Sequence, residues 1–113
     1  MPDYQKELEH INENNMKIMR QAPEVGHAFM DLYAKAGKSH TLDAKQKSLI
    51  ALAISISLRC EGCIATHVSS AIMNGASLAE ISDVVEVAIL MGGGPALVHG
   101  GKALEAAEQL GAK

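Results

Sequence analysis

The chain has 113 residues, enough for one domain with a modest core, and we expect a single domain over residues 1–113. A formal net charge of −3 gives no electrostatic reason to expect nucleic acid or an anionic membrane as a partner. No apolar run reaches transmembrane length and no secretory leader is visible, so we expect a soluble, cytoplasmic protein.

Hydrophobic residues make up 48% of the chain, but only one Phe and two Tyr are aromatic. The core is therefore expected to be aliphatic. A chain this small cannot easily cover so much apolar surface by itself, which favours burial of part of it between subunits.

Two helices are predicted in the first third of the chain. Residues 3–20 place apolar side chains at helical spacing on one face, with a strongly polar opposite face: Tyr4, Leu8, Ile11 and Ile18. Pro23 suits the first turn of a second helix, and Gly37 suits its end. The apolar face of this second helix is Val25, Phe29, Leu32 and Ala36.

The segment that follows a loop over residues 38–42 is ambiguous. Thr41 or Asp43 can cap a helix that begins at Ala44, but residues 54–58 alternate between apolar and polar like a strand. A strand before two cysteines would begin a thioredoxin-like fold. No other segment offers a partner strand, so we favour a helix through residue 58.

The second half of the chain predicts further helices. Residues 64–74 form one that ends at Gly75, and the capping-box pattern of Ser77 and Glu80 begins the next. Its apolar stripe is Ile81, Val84, Val85, Ala88 and Met91. Residues 92–95 break the helix; they follow no strand and precede no P-loop lysine, so a phosphate site is not expected. With a last helix over residues 95–110, ended by Gly111, the chain predicts an all-α bundle of five to six helices.

The residues with the clearest chemistry are Cys60, Cys63 and His67. The two cysteines are the only ones in the chain, and their C-x-x-C spacing in a cytoplasmic protein suggests redox chemistry or a metal. On a helix, His67 would lie within roughly 40° of Cys63, one turn away. A helix beginning at residue 61 or 62 would put Cys63 in its first turn, where free N–H groups stabilise a thiolate. One thiolate would then attack, the other cysteine would resolve, and the histidine would move protons.

Two other readings compete with a redox-active dithiol. The cysteines could be inert and buried, or they could bind zinc together with His67. Structural zinc needs a fourth ligand, which would have to be an acidic side chain, water or a distant histidine: His27, His40 or His99. These histidines and His10 are otherwise expected to be surface residues or satisfied core residues.

Three segments together resemble the AhpD-like alkylhydroperoxidase branch of the carboxymuconolactone decarboxylase family. They are the apolar run over residues 49–53, the C-x-x-C-x-x-x-H motif over residues 60–67, and the Gly-Ala-Ser-x-x-Glu-Ile pattern over residues 75–81. The resemblance covers roughly residues 42–98. It implies an all-α homo-oligomer, commonly a trimer or hexamer, with Cys63 as the peroxide-reactive sulfur, Cys60 as the resolving one and His67 in the proton relay.

The chain departs from the family pattern at one position. The family commonly carries a glutamate twelve residues before the first cysteine, and that position is Ser48 here. A serine hydroxyl can hold a water but cannot act as a carboxylate base. Glu61, between the cysteines, is a candidate substitute that would approach from another direction.

The sequence therefore predicts a thiol-dependent peroxidase that reduces hydroperoxides and is recycled by an external dithiol or lipoyl partner. We expect no cofactor, because no flavin, nicotinamide or haem motif is present, and no resident metal. Two alternatives stay open: a carboxymuconolactone decarboxylase-like enzyme, whose chemistry does not require a dithiol, and a non-catalytic, zinc-binding oligomer.

Overall fold

The computed structural model of the protein describes residues 1–113 and contains six helices and no strand. The helices are α1 (Tyr4–Gln21), α2 (Pro23–Gly37), α3 (Ala44–Leu58), α4 (Glu61–Met73), α5 (Leu78–Gly92) and α6 (Gly94–Gln109). The predicted all-α fold is confirmed. None of the six helices combines the length and the apolar character that a membrane span requires.

The helix boundaries follow the capping signals of the sequence. Asp43 caps α3 through a capping box with Gln46, and Ser77 caps α5 through a capping box with Glu80. A break of one residue, Gly93 with φ +65°, separates α5 from α6. Each box pairs N–H groups that a helix N-terminus otherwise leaves without a partner, so the start of each helix is well defined.

Residues 54–58 are helical, as the lack of a partner strand predicted. The alternating serines fit the helix because each hydroxyl donates to a carbonyl one turn earlier, Ser55 to Ala51 at 2.7 Å and Ser57 to Ala53 at 3.0 Å. This local pairing satisfies the polar groups, so the alternation gives no advantage to a strand.

The core lies between α3, α4, α5 and α6, with the start of α1 packed against it. Fifteen buried hydrophobic residues form it, and eight of the fifteen are alanine. The larger ones are aliphatic, including Leu52, Ile56, Ile64 and Ile81, with Tyr4 as the one aromatic member. Small side chains bring the helices close together: a Cβ on Gly100 of α6 would lie 2.7 Å from Val85 of α5.

The apolar face of α2 is not buried in the chain. Its predicted members remain largely exposed, with Val25 at 70%, Phe29 at 56% and Leu32 at 62%, and Gly26 is the only buried residue of the helix. Periodicity identifies which face of a helix is apolar, but it does not identify what covers that face.

A second exposed apolar surface lies where α5 meets α6. The predicted stripe of α5 is buried at Ile81, Val85 and Ala88, but Met91 in the last turn is 79% exposed. Leu90 beside it and Leu97 and Val98 at the start of α6 are exposed as well. The stripe therefore extends one turn beyond the last residue that the core covers. Contiguous apolar surface of this kind is typical of an interaction site.

Candidate functional site

The two cysteines lie at a tight joint between α3 and α4. Arg59 ends α3 in the left-handed conformation, with φ 57° and ψ 39°, and the next residue, Cys60, is the N-cap of α4. The Cys60 N–H donates to the Ser55 carbonyl at 3.2 Å, which ties the start of α4 to the last turn of α3. The joint thus fixes the position of Cys60 relative to both helices.

Cys60 and Cys63 are joined by a disulfide, with their Cα atoms 5.2 Å apart. Cys63 lies in the first turn of α4, and its backbone N–H donates to the Cys60 sulfur at 3.2 Å. Both residues are partly buried. After reduction, either sulfur would sit at the positive end of the helix, where the free N–H groups stabilise a thiolate.

His67 follows Cys63 by one turn on α4 and is half-buried. Burial lowers the pKa of His67 below its usual value, because taking the imidazolium out of water costs free energy. At neutral pH the ring is therefore mainly neutral and able to accept a proton. In most molecules of the protein at neutral pH, His67 therefore carries no positive charge that could stabilise a neighbouring thiolate.

His67 borders a cavity of about 380 Å³ that opens between α2, α3 and α4. The lining comes from the end of α2, the first half of α3, and one face of α4 with its C-cap: Tyr33, Ala34, Ala36, Gly37, Lys47, Ser48, Ala51, His67, Ser70 and Asn74. Neither sulfur lines the cavity. His67 is thus the residue that connects the cysteine turn to the cavity.

Ser48, at the position where the family commonly has glutamate, is buried in the cavity wall. Its hydroxyl donates to the Ala44 carbonyl at 2.8 Å and accepts from the Asn74 side-chain amide at 2.8 Å. With its proton committed to Ala44, the hydroxyl keeps acceptor capacity only. It can hold a water or an imidazole N–H, but it cannot take a proton away.

Lys47 and Tyr33 contribute to the cavity from two different helices. The Lys47 ammonium donates to the Ala36 carbonyl at 3.0 Å, and it is the only charged side chain in the lining. The Tyr33 ring stacks on the His67 ring, with 6.2 Å between centroids and 19° between planes. No carboxylate lines the cavity, so none is at hand to raise the pKa of His67.

Glu61 is not brought together with the other candidate site residues. It forms an ion pair with Lys102 of α6, and this ammonium is the main reason why the pKa of Glu61 is lowered. Two residues apart on a helix, Glu61 and Cys63 point about 200° away from each other. Glu61 lines a separate small cavity beside Tyr4 and Glu7.

No hydrogen bond joins the remaining histidines to a cysteine, although His99 lies close enough to Glu61 to contribute to the lowering of its pKa. His10 contacts Asn14 at 3.5 Å, His40 contacts Thr41 at 3.3 Å, and His99 contacts the Pro95 carbonyl at 2.9 Å. His27 is exposed on α2. No three His, Cys, Asp or Glu side chains of the chain converge on a point where they could hold a metal ion. The zinc ligand set considered from the sequence is therefore not assembled within one chain.

Four polar cavity residues were not identified as site residues from the sequence: Tyr33, Lys47, Ser70 and Asn74. Ser70 and Asn74 could have been found from the sequence, because they continue the helical face of Cys63 and His67 at the spacing i, i+4, i+7 and i+11. Tyr33 and Lys47 come from other helices, and no spacing within a single segment points to them.

The arrangement combines a dithiol that forms a disulfide, a neutral imidazole one turn away, and a cavity large enough for a small organic molecule. These are the parts that two-electron thiol chemistry with proton transfer requires.

The carboxymuconolactone decarboxylase family model matches residues 23–109 of the chain. An uncharacterized protein of Cupriavidus necator is 30% identical over 102 residues, which covers 90% of each protein.

Two solved structures extend the likeness to the fold. A carboxymuconolactone decarboxylase family protein of Legionella pneumophila is 33% identical and superposes with a TM-score of 0.91, covering 95% of this chain and 96% of that protein. A Thermotoga maritima member of the family, for which a part in the antioxidative response has been suggested, is 31% identical with a TM-score of 0.82, covering 93% and 89%. The chain therefore belongs to the carboxymuconolactone decarboxylase family.

Proposed function

We propose that this protein is a thiol-dependent peroxidase that reduces hydroperoxides through Cys60, Cys63 and His67. The observation that carries the proposal is the Cys60–Cys63 disulfide at the N-terminus of α4, with His67 one turn away at the edge of a cavity. Family membership and the antioxidative role suggested for the Thermotoga maritima relative support it.

The cycle begins with proton transfer from the Cys63 thiol to neutral His67. The Cys63 thiolate attacks the terminal oxygen of the hydroperoxide and the O–O bond breaks, which oxidises the sulfur to a sulfenic acid. The departing alkoxide takes the proton from the His67 imidazolium and leaves as an alcohol. The lowered pKa of His67 acts on the two steps in opposite directions: it makes the imidazolium a ready donor to the alkoxide, but it makes the neutral ring a weak acceptor for the Cys63 proton.

The second cysteine closes the cycle. The Cys60 sulfur attacks the Cys63 sulfenic acid, water leaves, and the disulfide forms. An external dithiol, of small-molecule or lipoyl type, then donates two electrons and two protons by disulfide exchange. Because Cys60 and Cys63 are partly exposed, such a reductant has access to the disulfide.

Ser48 has a secondary part in this proposal. Its remaining acceptor capacity can orient a water or the His67 ring, but no proton passes through its hydroxyl. Glu61 is given no part, because its carboxylate is paired with Lys102 on the far side of α4. A peroxidase with this cavity should be slower than one with a carboxylate at position 48.

The test is a thiol titration of the reduced protein before and after one equivalent of cumene hydroperoxide. We expect both thiols of the chain to be lost, one equivalent of alcohol to appear, and the peptide that carries Cys60 and Cys63 to lose two hydrogens by mass spectrometry. Addition of dihydrolipoamide should restore both thiols. Thiols that persist in folded protein, with the hydroperoxide unconsumed, would overturn the proposal.

We also propose that the protein is a homo-oligomer, a trimer or hexamer. The exposed apolar face of α2 and the exposed surface at the α5–α6 junction support this, because isolated chains seldom leave such surfaces uncovered. Light scattering at micromolar concentration should give three or six times the chain mass of 11.9 kDa.

A substitution can locate the contact between copies. Leu32→Glu, on the exposed face of α2, should lower the oligomer mass, whereas Asn15→Glu on the polar surface of α1 should not. A clean monomer in the unaltered protein would refute the assembly proposal.

A further inference from the structure

The Tyr33 ring is the one aromatic group that touches His67. The two rings are nearly parallel, at 19°, with centroids 6.2 Å apart, which is within the range of an offset stack. Phe29, one turn earlier on α2, contacts Tyr33 at 6.1 Å and 45°. Tyr33 is 40% exposed, so its ring reaches from the surface of α2 to the cavity wall.

None of the polar side chains of the cavity is hydrogen-bonded to the His67 ring. Ser48 is hydrogen-bonded to Ala44 and Asn74, and Lys47 is hydrogen-bonded to Ala36. The plane of the His67 imidazole is therefore set by packing, and the flat surface packed against it belongs to Tyr33.

We propose that Tyr33 is a positioning residue for His67: its ring fixes the plane of the imidazole and shields one face of it from water. The inference rests on the proposed function in one respect only, namely that the proton carried by His67 takes part in hydroperoxide reduction. The stack itself can be tested without a peroxide.

The consequence for proton affinity follows from the surroundings of His67. Burial is the cause of its lowered pKa, and a stacked ring is part of that burial. The charged or titratable groups at the cavity are Lys47 of α3 and Tyr33 itself. On α4 itself, the reduced Cys63 thiol lies one turn before His67. On the other side of α4, where α1 and α6 pack, Glu61 pairs with Lys102 and lies near Glu7 and His99. Removal of the Tyr33 ring leaves all of these charges in place and admits water to the imidazole.

The experiment compares four variants in the reduced protein: Tyr33→Phe, which keeps the ring, Tyr33→Ala and Tyr33→Leu, which remove it, and His27→Ala as a control. His27 is exposed on the same helix and does not line the cavity. The primary measurement is the pKa of the His67 ring by NMR titration. Circular dichroism and oligomer mass are recorded for every variant.

We expect Tyr33→Ala and Tyr33→Leu to raise the pKa of His67 toward that of an exposed histidine. We also expect them to slow hydroperoxide-driven disulfide formation about tenfold at neutral pH, since the loss from a misplaced acid–base group outweighs the gain from its higher proton affinity. Tyr33→Phe should keep both properties as they are in the unaltered protein, and His27→Ala should change neither. An unchanged His67 pKa in folded Tyr33→Ala and Tyr33→Leu would overturn the inference. So would a Tyr33→Phe variant as impaired as Tyr33→Ala, because the hydroxyl would then be the active group.

The inference and the proposed function can fail separately. If the unaltered protein does not reduce hydroperoxides but Tyr33→Ala raises the pKa of His67, the positioning role stands and the peroxidase proposal falls. If the unaltered protein is a peroxidase and the pKa does not move, the positioning role falls and the peroxidase proposal stands.

Discussion

Replacement of Cys63 with serine is expected to abolish hydroperoxide reduction, a loss of roughly a thousandfold or more, because the attacking nucleophile is removed. Replacement of Cys60 with serine should stop the cycle one step later, at the Cys63 sulfenic acid. The reason for this order is the position of Cys63: it lies in the first turn of α4, with His67 one turn away to take its proton. Cys60 precedes the helix as its N-cap.

Two measurements separate these roles. A sulfenic-acid trap such as dimedone should label Cys60→Ser after one equivalent of hydroperoxide and should leave Cys63→Ser unlabelled. Iodoacetamide rates over a pH series should show that Cys63 is the faster-alkylating thiol at neutral pH.

A specific contact makes the reverse outcome testable as well. The Cys60 sulfur accepts the Cys63 backbone N–H at 3.2 Å, and the same contact would stabilise a thiolate on Cys60. If the protein that retains only Cys60 alkylates faster and is the one that is labelled, the two roles are exchanged.

The fold could be predicted from the sequence because the signals that start and end its helices are local. Asp43 with Gln46 and Ser77 with Glu80 fix helix starts through contacts three residues apart. Gly75 and Gly111, both with positive φ, mark helix ends at which most other residues would be strained. Such signals depend on neighbours along the chain, so they remain readable without knowledge of the tertiary structure.

Which apolar helix faces are buried within the chain could not be predicted in the same way. Val25, Phe29 and Leu32 have the spacing of a buried helix face, but the chain offers nothing to cover them. Met91 continues the stripe of α5 in sequence and leaves the core in space. Whether an apolar face meets its own chain or another copy depends on packing between distant segments, which periodicity does not encode.

The residues of the candidate site show the same difference between local signals and contacts made by distant segments. Cys60, Cys63 and His67 could be identified because their chemistry and spacing fall within one short segment, residues 60–67. Tyr33 on α2 and Ser48 on α3 join His67 only through the fold. Glu61, although it is adjacent in sequence, is directed to Lys102 instead.

Ser48→Glu is expected to accelerate hydroperoxide reduction, by about tenfold near neutral pH, if the reaction uses His67 as its base. Ser48 lies in the wall of the cavity that His67 borders, so a longer side chain there has space to enter. A carboxylate in the cavity would favour the imidazolium and raise the pKa of His67 from its lowered value, which makes the ring a stronger acceptor for the Cys63 proton. The gain should be largest where the carboxylate is ionised and most Cys63 is still a thiol.

Burial of the new carboxylate opposes this gain, and the structure offers groups that offset its cost. The Asn74 amide, which now donates to Ser48, can donate to the carboxylate, and the Lys47 ammonium lines the same cavity. Ser48→Gln is the matched control, because it adds nearly the same volume without charge and should not accelerate the reaction. Circular dichroism and oligomer mass establish that both variants are folded. A folded Ser48→Glu protein no faster than Ser48→Gln would mean that position 48 is not the missing relay position, or that hydroperoxide reduction is not the natural reaction of this protein.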